Sequence, residues 1–373
     1  MKKILIVVGT RPNFIKVTQF KRIALAQYEQ KIEIKIVHTG QHYDKLMSDV
    51  FFEQFGLVPD YFLNIATQTD VNTQFSAIIT GVSQTIAEYS PHLVVVVGDV
   101  NSTLAAALAA HHLHLPMAHL ESGLRSHDRA MPEELNRVLT DSLADYFFVT
   151  EPSGTQNLVA EGKPQDRIFF VGNTMIDTMV AYKTQIAQAD ILPKLGIKPA
   201  QDFALMTMHR PSNVDTLEGL NKILELIALA TAQLSVVFSV HPRTLSNLQK
   251  HGLYHAITQN PNLIVCPPLD YFAFQHLVAN CKFVLTDSGG IQEEASFVQK
   301  PCLTFRQNTE RPCTITEGSN QLMPFDLDLI KLKLAELNDP SKPKNYTIPQ
   351  LWDGSATERI LQILDKTTFE KRL

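Results

Sequence analysis

The stretch Asp287-Ser288-Gly289-Gly290 follows a strand-like Phe283–Leu285 run and leads into Ile291-Gln292-Glu293-Glu294-Ala295, which reads as a helix. Two adjacent glycines let the chain turn sharply and let a ligand approach the backbone with no Cβ in the way. The N–H groups that open the helix favour an anion. Glu294, one turn in, can accept hydrogen bonds from two hydroxyls of a sugar. A diphosphate on the turn and a ribose on the glutamate is the chemistry this stretch suits. A plain strand-to-helix turn carries the same letters, so the rest of the chain has to decide.

Other reactive side chains also follow apolar runs. Arg11 and Lys16, in Gly9-Thr10-Arg11-Pro12-Asn13-Phe14-Ile15-Lys16, bring two positive charges to a helix start that Pro12 favours. They suit a diphosphate or its leaving oxygen. Asp99 follows Leu93–Val97, Glu121 follows Pro116–His119, and Glu133 opens the helix that also carries Glu134 and Arg137. Proton transfer at carbon needs a base on one face and an acid on the other, in surroundings that separate their pKa values. Three carboxylates on neighbouring elements meet that need better than any one, although first-turn glutamates are also common for dipole reasons. His209 could exchange a proton with a phosphate or leaving group, and His241 takes the matching place one strand later. Arg306 and Arg311 flank a loop that could close over phosphates. His111, His112, His114 and His119 raise the question of a metal. Adjacent histidines on a helix point apart and no carboxylate pair at ligand spacing joins them, so no metal site is expected.

The elements that must hold these groups alternate. Strands are expected at Ile4–Val8, Ile34–His38, Leu93–Val97, Pro116–His119, Tyr146–Val149 and Ile168–Val171. Between them lie helical stretches, among them Pro12–Tyr28, Tyr43–Phe55, Asn72–Tyr89 and Glu133–Asp145. After a helix over Thr174–Ala189 and a polar link near Pro193–Pro199 the alternation restarts with Phe203–Met208, Ser235–Val240, Leu263–Val265, the Phe283 strand and Cys302–Phe305. Such alternation implies parallel sheets with right-handed crossovers. At 373 residues the chain is too long for one ordinary core. The expected fold class is therefore α/β: two doubly wound Rossmann-like domains facing a central cleft. They cover 1–172 and 173–354, with a C-terminal helix at about 355–373 packing back on the first. In such sheets ligands bind beyond the carboxyl ends of the strands, where the reactive residues fall.

Composition narrows the partners. A net charge of −5 gives no global basic field for nucleic acid. The four cysteines form no Cys-x-x-Cys pair, so neither a zinc ribbon nor a redox motif is indicated. No apolar run is long enough for a membrane span, and the N-terminal run is too short for a signal peptide. A soluble, cytoplasmic protein is expected.

Taken together, these motifs resemble the non-hydrolysing UDP-N-acetylglucosamine 2-epimerases. They run in order from Gly9–Lys16 through His38–Asp44, Gly98–Thr103, His119–Ser126, Pro132–Arg137, His209–Asn213, His241–Arg243 and Asp287–Ala295 to Arg306–Pro312. The resemblance implies the glycosyltransferase-B type fold, a homodimer, a UDP-sugar substrate, and no metal or redox cofactor. It implies interconversion of UDP-N-acetylglucosamine and UDP-N-acetylmannosamine, by elimination of UDP to 2-acetamidoglucal and re-addition. Acid–base carboxylates then fall on Asp99, Glu121 and Glu133, and phosphate-side groups on Arg11, Lys16 and His209. Nucleotide contacts fall on Ser288, Gly289, Gly290, Glu294 and Arg311, and Arg137 matches the arginine after the glutamate pair. Gln41, His42 and His241 match a second substrate site that activates some bacterial members, where Asp44 replaces a glutamine. Other departures are Asn13 for a glutamate, Pro211-Ser212 for a charged pair, and Cys313 where an acidic residue is common. Relatives acting on UDP-diacetamido uronic acids share the His38–Asp44 loop. A UDP-sugar glycosyltransferase of the same fold and a nucleotide-sugar binding module without turnover are the remaining alternatives.

Overall fold

Leu93–Val97 has no polar residue, and all of its side chains are buried. A strand of this kind needs a sheet covered on both faces. The computed structural model, which describes residues 1–41, 52–65, 70–342 and 345–369, places it at the centre of one. The strands of this first sheet are β1 (Lys2–Val8), β2 (Ile32–His38), β3 (Tyr61–Phe62), β4 (Leu93–Val97), β5 (Met117–Leu120), β6 (Tyr146–Val149) and β7 (Ile168–Phe170). Their order is β3-β2-β1-β4-β5-β6-β7, and every pairing is parallel. A second sheet holds β8 (Phe203–Thr207), β9 (Ser235–Ser239), β10 (Leu263–Cys266), β11 (Phe283–Thr286), β12 (Cys302–Thr304) and β13 (Asn320–Leu322). Its order is β10-β9-β8-β11-β12-β13, again parallel throughout. In each sheet the winding direction reverses once, between β1 and β4 and between β8 and β11. At such a point the loops leaving two neighbouring strands part in opposite directions and open a binding crevice. Arg11 and Asp99 follow the first pair of strands; His209 and Ser288 follow the second.

The chain divides into two units, Met1–Ala181 with Gln350–Leu373, and Tyr182–Pro349. The divisions expected from the sequence lie after Gly172 and after Gly354. The contacts of three residues account for the difference. Thr178, on helix Thr174–Ala181, donates its hydroxyl to the Ile15 carbonyl and meets the Thr18 hydroxyl. Asp177, on the same helix, accepts from the N–H groups of Ala356 and Thr357, the first residues of helix Ala356–Lys366. An N-terminal cap of this kind contributes about 1 kcal/mol. Trp352 is buried and donates its indole N–H to the Thr150 carbonyl at 3.1 Å. The tail from Gln350 therefore belongs to the first unit, and the face of its helix carrying Ile360, Leu361 and Leu364 is buried.

Two long helices expected from periodicity are each split. Pro12–Tyr28 becomes Arg11–Ile15 and Phe20–Tyr28, because Lys16 and Thr18 point inward to distant polar partners. Thr174–Ala189 becomes Thr174–Ala181 and Lys183–Ala187, broken at the unit boundary. The edge strands β3 and β13 and helix Leu327–Asn338 lie where no element was expected. Of the expected helix Tyr43–Phe55, residues 52–55 are helical and the remainder falls outside the described residues. Among the described residues no helix is long and apolar enough to cross a membrane.

Candidate active site

In the first unit the reactive groups gather at the carboxyl ends of β1, β4 and β5. Lys16 and Glu121 form an ion pair with both side chains buried, at 5% and 3% exposure. Glu121 has a φ of +70°, a left-handed conformation that non-glycine residues rarely adopt. Such a residue persists only where its surroundings fix it, and functional sites are where such residues collect. Gly98 shows how tightly the pair is enclosed. It also has a positive φ, and a Cβ on it would sit 3.1 Å from Glu121 Oε2 and 3.0 Å from the Asn13 amide nitrogen. Asn13 is itself buried, and it donates to the Val97 carbonyl and accepts from the Thr10 hydroxyl. The asparagine that departs from the resemblance at this position thus anchors the loop between β1 and Lys16.

Asp99 is partly exposed and pairs with the buried Arg137 guanidinium. Arg137 also meets Glu134 Oε2 at 3.1 Å, and Asn136 donates to the Asp99 carbonyl at 2.9 Å. Burial pushes the Glu134 carboxyl up. Hydrogen bonds from the Ser126 and His127 N–H groups and the Ser126 hydroxyl, with the Arg137 charge, outweigh it and hold the group below the usual carboxylate range. Glu134 is one site residue that sequence reasoning missed. It lies next to Glu133 in the first turn of helix Pro132–Leu143, and only the fold separates them, since Glu133 is exposed and Glu134 is buried. Arg11 lies in the first turn of its short helix, partly buried.

The residues matched to a second substrate site scatter differently. Gln41 is buried, and its amide oxygen accepts from the Ser102 N–H at 3.0 Å and the Ser102 hydroxyl at 2.7 Å, capping helix Asn101–His112. His42 and Asp44 lie outside the described residues. His241 caps its own helix by accepting from the Arg243 N–H. Its ring lies 5.5 Å from that of His209. Burial, with the neighbouring His209, lowers its pKa against the pull of Asp287. Of the four histidines considered for a metal, His111 and His112 end helix Asn101–His112, whereas His119 is buried in β5.

In the second unit Asp287 organises the turn after β11. It accepts from the N–H groups of His209 and Arg210 and from the Asn213 amide, at 2.9 to 3.0 Å. It also faces His209 Nδ1 at 3.0 Å. Burial pushes its carboxyl up, but His209, Arg210 and Asn213 more than offset that and leave it low. A carboxylate on Nδ1 fixes the ring's orientation and tautomer and directs the other nitrogen outward. Asn213, which follows the departing Pro211-Ser212, thus keeps its contact with the site.

Helix Gly289–Phe297 starts at Ser288 with no side-chain cap. A Cβ on Gly289 would lie 2.9 Å from Glu310 Oε1 and 3.2 Å from Arg311 Nη1. Arg311 also reaches Glu293 at 2.8 Å, and Arg306 reaches Glu310 at 2.9 Å. Two guanidinium groups thus stand beside the N–H groups that open the helix, a setting suited to a diphosphate. Glu294 is 6% exposed. Burial, with Glu293 adding to it and Gln275 opposing, raises its pKa from 4.5 to about 7.

The whole chain can be set beside known proteins. The profile described as UDP-N-acetylglucosamine 2-epimerase matches residues 24–365. The chain belongs to this family. Its members are isomerases. The UDP-N-acetylglucosamine 2-epimerase of Methanocaldococcus jannaschii is 38% identical over 371 residues, covering 97% of this chain and 98% of that one. A solved structure of UDP-GlcNAc 2-epimerase from the same organism, in complex with UDP-GlcNAc and UDP, has a TM-score of 0.88 at 37% identity and covers 98% of this chain and 100% of its own. The UDP-2,3-diacetamido-2,3-dideoxy-D-glucuronate 2-epimerase of Pseudomonas aeruginosa is 39% identical over 334 residues, covering 88% and 90%. The two doubly wound parallel sheets and this structural match give the family's fold, of the glycosyltransferase-B type.

Proposed function

We propose that the chain interconverts UDP-N-acetylglucosamine and UDP-N-acetylmannosamine at carbon 2 of the sugar. The observation that carries this reading is the pair of carboxylates leaving neighbouring strands in unlike settings. Glu121 is buried against an ammonium, and Asp99 is half open against a guanidinium. Two carboxylates in different surroundings can divide the work of base and acid.

In this reading the diphosphate lies on Ser288, Gly289 and Gly290 with Arg311 beside it, and Glu294 accepts from the ribose. A carboxylate among Asp99, Glu121 and Glu133 takes the proton from carbon 2. The carbon 1–oxygen bond breaks, UDP leaves with the electron pair, and 2-acetamidoglucal remains. Arg11, Lys16 and His209 stabilise the departing diphosphate, and Arg137 holds Asp99 in place. A second carboxylate then delivers a proton to the opposite face of carbon 2, and the UDP oxygen re-forms the bond to carbon 1. Every atom returns, and carbon 2 ends at its starting oxidation level. From the family resemblance we infer a cytoplasmic homodimer that supplies N-acetylmannosamine units for surface polysaccharide.

A second reading takes a UDP-diacetamido uronic acid as substrate, because a relative named for that activity matches this chain at 39% identity. The test is proton NMR of each UDP-sugar incubated with the protein. A new manno-configured anomeric signal from UDP-N-acetylglucosamine supports the first reading. Turnover of the diacetamido uronate alone supports the second, and turnover of neither removes both.

A further inference from the structure

His119 lies beneath the carboxylates, on β5, and is fully buried. Its Nε2 is 2.7 Å from the Gly98 carbonyl oxygen, and its Nδ1 is 2.6 Å from Asp141 Oδ1. A carbonyl oxygen can only accept, so Nε2 donates there. Asp141 already accepts from the Gly123 N–H at 3.0 Å and pairs with Arg125 at 2.8 Å. Burial pushes the Asp141 carboxyl up, and the Arg125 guanidinium and the Gly123 N–H, independently of the ring, favour its ionised form. An ionised carboxylate also only accepts, so Nδ1 donates as well. A singly protonated ring would set a nitrogen lone pair against an oxygen lone pair in a fully buried setting.

Three elements meet at this ring. Gly98 precedes Asp99 at the end of β4, and His119 stands two residues before Glu121. Asp141 is on helix Pro132–Leu143, which also carries Glu133, Glu134 and Arg137. The surrounding charges balance, because Arg125 pairs with Glu161 as well as with Asp141.

We infer that His119 is a doubly protonated positioning residue that ties together the three elements carrying Asp99, Glu121 and Glu133, and takes no part in proton transfer to substrate. Its effect on turnover rests on the function proposed above; its protonation does not.

The test uses full-length protein labelled with 15N-histidine, at pH 7.5, with His119 assigned by the signal lost in His119→Gln. Both ring nitrogens should resonate in the protonated range, and one in the unprotonated range overturns the inference. In His119→Gln, which keeps one donor and loses the charge, kcat should fall about tenfold to a hundredfold, as for a misplaced catalytic group. KM should stay within about threefold, because the nucleotide contacts are untouched. An unchanged kcat overturns the positioning role. Asp141→Asn gives the same test should His119→Gln not fold, because loss of the carboxylate should move one ring nitrogen to the unprotonated range and lower kcat. A wild-type protein that turns over no UDP-sugar would sink the proposed function, while the nitrogen shifts would still decide the state of the ring.

Discussion

Glu294 gives the sharpest test of where the nucleotide lies. Burial and Glu293, against the hydrogen bond from Gln275, bring its carboxyl from 4.5 to about 7. A ribose that donates two hydroxyls to it favours the ionised form. For a group titrating near 7, that form is about a tenth of the population at pH 6 and about nine-tenths at pH 8. Affinity for UDP should therefore rise about ninefold over this interval through Glu294. Glu294→Gln removes the titration and keeps the shape. Hydrogen bonds to a charged group are worth ~1.5–3 kcal/mol, so the variant should bind about tenfold to a hundredfold more weakly at pH 8. At pH 6 the gap should shrink about ninefold. The diphosphate titrates in both proteins, so the ratio of their affinities isolates the glutamate. Calorimetry at pH 6, 7 and 8, in two buffers of unlike ionisation enthalpy, measures both the ratio and the protons released. The folded-state pKa lies above the unfolded value, so the stability contributed by the protonated carboxyl is complete below about 4.5 and lost as pH rises through about 7. Without UDP, Glu294→Gln should thus exceed wild type in stability by about 3 kcal/mol at pH 8 and match it near pH 4. An affinity ratio that is the same at pH 6 and pH 8 would refute the reasoning.

Three further outcomes follow from the geometry. Lys16→Met leaves the buried Glu121 carboxylate without its ammonium and should cost about 3–5 kcal/mol in urea unfolding; adding Glu121→Gln should restore most of that stability but not turnover. Gly289→Ala places a methyl 2.9 Å from the Glu310 carboxylate. The buried Glu310 and Arg311 side chains must then shift, so the variant should lose about 1–3 kcal/mol in urea unfolding and bind UDP more weakly in calorimetry; unchanged stability and affinity would contradict the packing. Asp99→Asn should cut turnover at least about a hundredfold with UDP affinity retained; near-wild-type rates would remove Asp99 from the chemistry.

Much of this could be read in the sequence, for identifiable reasons. The apolar runs Leu93–Val97 and Tyr146–Val149 stand in the structure with the bounds their patterns gave. Strongly apolar segments flanked by turn residues leave little choice of element. The break at Lys16 was illegible, because it comes from partners more than a hundred residues away in Glu121 and Thr178. The edge strands β3 and β13 were illegible because two or three residues carry no period. At the site, residues just past strand ends were legible because doubly wound sheets put ligands there. Glu134, Asp141 and His119 were not singled out for the work they do, because their roles come from burial and from one another. Neighbouring glutamates on one helix turn differ only in which way the fold faces them.

The central claim is that carbon 2 loses its hydrogen and receives one from solvent on the reverse face. The direct measurement is incubation of the wild-type protein with UDP-N-acetylglucosamine in deuterated water, followed by NMR and mass spectrometry of the nucleotide sugars. The account predicts UDP-N-acetylmannosamine carrying one deuterium at carbon 2, with deuterium appearing in the UDP-N-acetylglucosamine pool as the reaction reverses. Epimer formed with its original hydrogen at carbon 2, or no epimer from an active preparation, would contradict it.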